Sequence, residues 1–156
     1  MPVSSVLALV GFVGLCLLVG TVGGSLAEHA LRVWYPTLTA PPGTPPTWLF
    51  APVWSVLYVM MGVAAWLAWK RRGPSRALRL WGWQLAGNAL WVPAFFGLRS
   101  PPLGLGVLVG TLVLIALTIR AFRRVQPKSA WLMAPYAGWC LYATYLNAGF
   151  WLLNHP

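Results

Sequence analysis

Very little in this chain is equipped for catalysis. Glu28 is its single acidic residue, so paired-carboxylate acid–base chemistry is ruled out. His29 and His155 stand far apart, Cys16 and Cys140 lie in separate apolar runs, and Ser55 and Ser129 have no histidine that the sequence brings near. HExxH, CxxC and glycine-rich phosphate loops are absent. No catalytic set, metal site or cofactor is therefore expected. A different chemistry recurs at regular spacing. Trp54 and Tyr58 sit one helical turn apart. Gln84, Asn88, Trp91 and Phe95 follow at steps of four, three and four, along one face of a helix. Pro135, Trp139, Ala143 and Asn147 recur every four residues, flanked by Tyr136, Tyr142, Leu146 and Phe150. Flat aromatic walls with a few amide hydrogen-bonding points suit a large planar apolar ligand, a tetrapyrrole or a sterol. The same rings at the same spacing also serve ordinary helix packing, and the sequence leaves both uses open for Trp54, Trp91 and Trp139.

These faces need a setting, which the composition supplies. Of 156 residues, 59% are hydrophobic and 8% charged, and the mean hydropathy is +0.71. A typical soluble domain carries about 25% charge. A water-soluble chain of this size would have nothing to cover its outside, so the class is integral membrane protein. About 20 helical residues cross a hydrocarbon core of about 30 Å. Apolar runs at about 5–27, 49–69, 77–98, 103–122 and 130–153 predict an all-α bundle of five transmembrane helices in a single domain spanning 1–156. The first run lacks a preceding Lys or Arg and exceeds the ~7–15 residues of a signal-peptide core, so it is expected to be a retained span.

Residues 33–48 form the one long connection. Pro41, Pro42, Pro45 and Pro46 exclude a helix or strand interior there, because each lacks an amide hydrogen and fixes its own φ. A stiff strap leading into the aromatic face of Trp54 is expected to cover the mouth of a pocket. Pro93 is expected to bend or loosen the third span. The fourth span has no amide and no aromatic before Phe122, and reads as a packing or lipid-facing wall. Trp34, Trp81, Trp131 and Trp151 lie near span ends, where an interfacial belt is expected. Gly82 with Ala86, and Gly106 with Gly110, form small-xxx-small steps that favour close helix contact. A homodimer through the third span is the expectation, and a purely structural or partner-binding membrane protein is one alternative to a ligand-binding one.

The formal charge is +10. The cations fall in the gaps between apolar runs, a pattern set by topology and anionic lipid headgroups and not by nucleic acid. Nine of them (Lys70, Arg71, Arg72, Arg76, Arg79, Arg120, Arg123, Arg124 and Lys128) fall on the side of the N-terminus, against two, Arg32 and Arg99, on the other. The N-terminus is therefore expected inside, and the proline strap and C-terminus outside. Glu28 is placed to pair with Arg32 at i,i+4. Ion conduction finds no acidic ring or filter-like repeat.

Three blocks carry a resemblance over nearly the whole chain: Trp34-Tyr35 with PPTWLFAPVWSVLYVMMG at 45–62, QLAGNALWVPAFFG at 84–97, and PYAGWCLYATYLNAGF at 135–150. Together they resemble the translocator protein family, also called tryptophan-rich sensory proteins or peripheral-type benzodiazepine receptors. The resemblance implies a five-helix bundle whose cavity is roofed by the first loop. It also implies porphyrin, sterol and synthetic benzodiazepine- or isoquinoline-type ligands, homodimers, and a stress- or oxygen-linked role in bacteria. By position, Trp54, Asn88, Trp91, Trp139, Ala143, Leu146 and Asn147 match the family's pocket, and Tyr58 shares the Trp54 face. Some members are reported to promote light-dependent breakdown of protoporphyrin IX, and the tryptophans tied to that activity match Trp54 and Trp139. The family's basic and aromatic loop residues before Pro-Pro are replaced here by Ala40-Pro41-Pro42-Gly43, and no Lys or Arg follows Tyr145. Both departures point to a bacterial-type member favouring tetrapyrroles over sterols, acting in transport, sensing or disposal.

Overall fold

The computed structural model describes residues 3–155. Five long helices run antiparallel in sequence: α1 Val3–Val33, α2 Phe50–Arg72, α3 Arg76–Val92, α4 Pro101–Val125 and α5 Pro127–Leu153. The all-α five-helix bundle is thus what folds. α1, α2 and α4 are each long and apolar enough to cross a membrane by themselves. α3 and α5 carry the amides, tyrosines and prolines that lower their hydropathy, and they are sheltered by packing against α4 and α2. The chain is an integral, multi-pass membrane protein.

The breaks fall where the local chemistry demands them. Gly73, at φ +61°, ends α2 by donating its amide to the Trp69 carbonyl at 2.7 Å. Ser75 and Ser100 cap α3 and α4, their hydroxyls accepting from the amides of Leu78 and Leu103. Pro101 and Pro127 start α4 and α5 in the first turn, where a missing amide hydrogen is harmless. Pro93 loosens the end of α3 into a π turn over Pro93–Gly97, closed by Leu98 N–H to Pro93 O at 2.8 Å.

α1 continues through Val33 instead of stopping near 27. No proline or glycine interrupts 25–33, and Ala27 and Ala30 are buried against the bundle. α2 and α4 likewise extend through their basic ends to Arg72 and Val125, since no breaker precedes Gly73 or Pro127.

The interior divides into two layers. At the basic end Met61, Trp81, Ile115, Phe122, Met133 and Tyr136 pack together. At the strap end Phe95, Phe96, Leu146 and Phe150 do so, with Ala27 and Ala30 from α1. Trp81 is a correction to the belt expectation: it is buried, edge-on to Phe12 at 5.5 Å. It lies on the inward face of α3, in line with buried Ala77, Gln84 and Leu85. α2 crosses α1 at Gly62, where a side chain would collide with the Val13 backbone. Such close approach is the main source of helix affinity in lipid, where apolar surface has no drive to leave its surroundings. Only 6% of the most apolar stretch of α1 is buried, so most of that helix faces lipid.

Candidate functional site

α2 contributes Trp54 and Tyr58, stacked at 5.4 Å between ring centroids with 29° between planes. The Tyr58 hydroxyl donates to Asn88 Oδ1 at 2.6 Å, and Asn88 Nδ2 donates to the Tyr136 hydroxyl at 3.2 Å. One amide thereby joins α2, α3 and α5. Two residues short of the π turn, Trp91 stacks on Phe95 at 5.5 Å and donates its indole N–H to Asn147 Oδ1 at 3.1 Å. Asn147 Nδ2 donates to the Pro101 carbonyl at 2.6 Å, so a second amide ties α3, α5 and the start of α4. Amides in hydrocarbon are costly unless paired, and both are paired within the protein.

Between these ties lies a cavity of about 730 Å³. Trp54, Tyr58, Asn88, Trp91, Ala143, Leu146 and Asn147 line it, together with Phe95, Phe96 and Phe150. Trp139 does not line it. It stands one layer back, edge-on to Trp54 at 6.5 Å and 88°, and also contacts Phe50 and Tyr142. Gln84 lies deeper along α3, fully buried, with both ends of its amide lacking a protein partner. Among the described residues, α4 supplies nothing to the wall.

The wall that sequence reasoning missed belongs to α1. Gly20, Gly23, Ala27 and Leu31 face inward, and at Gly20 a side chain would run into the Tyr58 ring. Thr21, Ser25, Glu28 and Arg32 form an adjacent exposed stripe that also borders the cavity. Opposite them stand exposed Trp48, Ala51 and Ser55. The cavity therefore opens sideways between α1 and α2. The signal for this was present as four polar residues at steps of four, three and four on an otherwise apolar helix.

The proline strap is fastened to α5. Tyr142 donates to the Gly43 carbonyl, Tyr145 donates to the Pro42 carbonyl at 2.9 Å, and Asn154 both accepts from Thr39 N–H at 2.7 Å and donates to Thr39 O at 3.0 Å. Pro41 is buried against Gly149, which has no room for a side chain. The strap's two ends, Tyr35 on one side and Thr47 with Trp48 on the other, border the cavity, whereas residues 36–46 do not. Burial, and then the neighbouring Tyr142, pushes the Tyr35 hydroxyl up to about 12, so it stays neutral and a hydrogen-bond donor at physiological pH.

The sequence profile of the TspO/MBR family matches residues 12–152. A tryptophan-rich protein TspO of Chlorobaculum tepidum is 38% identical over 153 residues, covering 96% of this chain and 97% of its own. One from Archaeoglobus fulgidus is 34% identical over 152 residues, covering 96% and 99%. The translocator protein of Homo sapiens is 39% identical over 127 residues, covering 78% and 75%.

Proposed function

The chain belongs to the TspO/MBR family, and on that premise we propose that it binds a large planar apolar molecule, a tetrapyrrole such as protoporphyrin IX or else a sterol, in the cavity between α1, α2, α3 and α5. Binding serves transport, sensing or disposal of that molecule in a bacterial membrane. The observation that carries this reading is the cavity: its volume of about 730 Å³ falls in the ~300–1,000 Å³ range of small-molecule sites. Its walls are aromatic faces, which suit a flat conjugated ring. The sideways opening between α1 and α2 suits a ligand that arrives dissolved in lipid. The strap, held on α5, steadies Tyr35 and Trp48 at the rim.

Titration of the purified protein with protoporphyrin IX tests this. Tryptophan fluorescence, corrected for porphyrin absorption, is expected to fall saturably near one ligand per chain. Trp54→Ala removes a wall, which costs about 1–3 kcal/mol, or about five- to 150-fold in affinity. Leu114→Ala, on α4, is expected to change little. Equal binding by the two variants overturns the reading, and displacement of porphyrin by a sterol reverses the preference between ligands.

A second reading, light- and oxygen-dependent breakdown of bound porphyrin, is favoured by the edge contact between Trp54 and Trp139. It requires a protein-bound product under illumination that Trp54→Phe with Trp139→Phe abolishes. Equal bleaching of free porphyrin removes this reading.

A further inference from the structure

We propose that Arg32 is the anchor for an acidic group on the ligand, and that the ligand's carboxylate takes the place of Glu28 on the guanidinium. The inference rests on the ligand reading above and specifies which end of the molecule lies at the rim.

The chain has one acidic residue against eleven Lys and Arg. That single carboxylate sits at the edge of the cavity, 2.6 Å from Arg32 Nη2. Glu28 and Arg32 are the only ionised side chains among the cavity-lining residues. Both are exposed, at 61% and 75% of their side-chain surface, so water screens the pair and it contributes little to stability. Exchanging one carboxylate for another there carries almost no penalty.

The inner wall offers a ligand carboxylate nothing comparable. The amides of Asn88 and Asn147 are engaged with Tyr58, Tyr136, Trp91 and Pro101. The remaining surface is aromatic and aliphatic, where an unpaired charge is strongly disfavoured. A planar ligand bearing acidic side arms thus enters ring first and leaves its acid at the mouth. Arginine is suited to receive it, because its planar fork donates to both carboxylate oxygens at once. Its place in the last turn of α1 also sets the cation at the negative end of that helix. Glu28 holds Arg32 in place while the site is empty and competes with the acid when it is filled.

The probes are protoporphyrin IX and its dimethyl ester, titrated into the purified protein in nanodiscs at low salt. The wild type is expected to bind the acid about three- to fivefold tighter than the ester, the most that a screened pair supplies. Arg32→Gln brings that ratio to about one while ester affinity stays within about twofold. Arg32→Lys keeps part of the ratio, since it retains the charge without the fork. Glu28→Gln strengthens acid binding several-fold and leaves the ester unchanged. If Arg32→Gln weakens both probes equally, or the ratio survives it, Arg32 is not the anchor. An unchanged acid affinity in Glu28→Gln overturns the exchange. If neither probe saturates the wild type, the ligand reading itself fails; equal binding of both to the wild type overturns the anchor alone.

Discussion

Asn147→Ala separates the amides that hold the helices from groups reserved for a ligand. Asn147 is 1% exposed, accepts from Trp91 Nε1 at 3.1 Å and donates to Pro101 O at 2.6 Å. Interhelical hydrogen bonds in membrane proteins average about 0.6 kcal/mol and reach about 1.7. Stranding a buried polar group costs about 1–3 kcal/mol. The Trp91 indole borders the cavity, where water can replace its partner, and a carbonyl has a second lone pair, so the lower parts of both ranges apply. The expected loss is about 1–2.5 kcal/mol of unfolding free energy, read by titrating SDS into protein in mixed micelles. Asn147→Leu keeps the volume without the hydrogen bonds and is expected to lose as much. Porphyrin affinity is expected to fall no more than about threefold in either variant, because both amide ends are engaged with protein. An unchanged unfolding midpoint together with a loss of affinity beyond tenfold would refute the reasoning, as would full recovery of stability in Asn147→Leu.

Three further outcomes are expected. Gly149→Val places a side chain within 2.6 Å of Pro41 Cβ, so it is expected to lift the strap, raising protease cleavage within 39–46 at unchanged helical content; unaltered cleavage rejects the packing argument. Gly82→Leu with Ala86→Leu adds bulk where the chain itself leaves open space at Gly82, and is expected to yield monomer in nanodiscs without loss of fold; unchanged cross-linking excludes that face of α3 as the dimer contact. In a background of Cys16→Ala and Cys140→Ala, Ala40→Cys is expected to react with an impermeant thiol reagent from outside intact cells, and Pro74→Cys only after the membrane is opened. Both positions are exposed and avoid Gly43 and Gly73, whose positive φ would strain a cysteine, and the opposite labelling pattern inverts the orientation.

The bundle was legible because apolar run length and basic turns are direct physical requirements of a membrane span. The α3 face was legible in part for a geometric reason. Steps of four and three alternate around the 3.6-residue turn, so Asn88, Trp91 and Phe95 stay in line with the cavity. A run of fours does not. Trp139 lies eight residues before Asn147, which rotates it by about 80° and carries it behind Trp54. Gln84 keeps the direction but sits about 6 Å deeper along the helix than Asn88, beyond the cavity wall. The part of α1 in the site was obscured because glycine and threonine on an apolar span also mark helix packing. Gly20 serves both ends at once, bordering the cavity and giving the Tyr58 ring its place.

A hollow inside a membrane bundle raises a problem of its own. Helices in lipid gain nothing from hiding apolar surface, so the walls of a 730 Å³ space must be held apart and together by other means. Here two amides do this from opposite directions. Asn88 ties α2 to α5 through two tyrosine hydroxyls below the cavity, and Asn147 ties α3 to the start of α4 beside it. α1 has no such amide: it packs on α2 at Gly62 and on the Phe95–Phe96 layer through Ala27 and Ala30. The braced side of the cavity is therefore α2, α3 and α5; the hydrogen bond that α1 receives from α2, Trp66 Nε1 to the Ser5 carbonyl at 2.9 Å, lies at the other end of the helix from Glu28. The Glu28–Arg32 pair thus stands on a cavity wall that no buried amide braces.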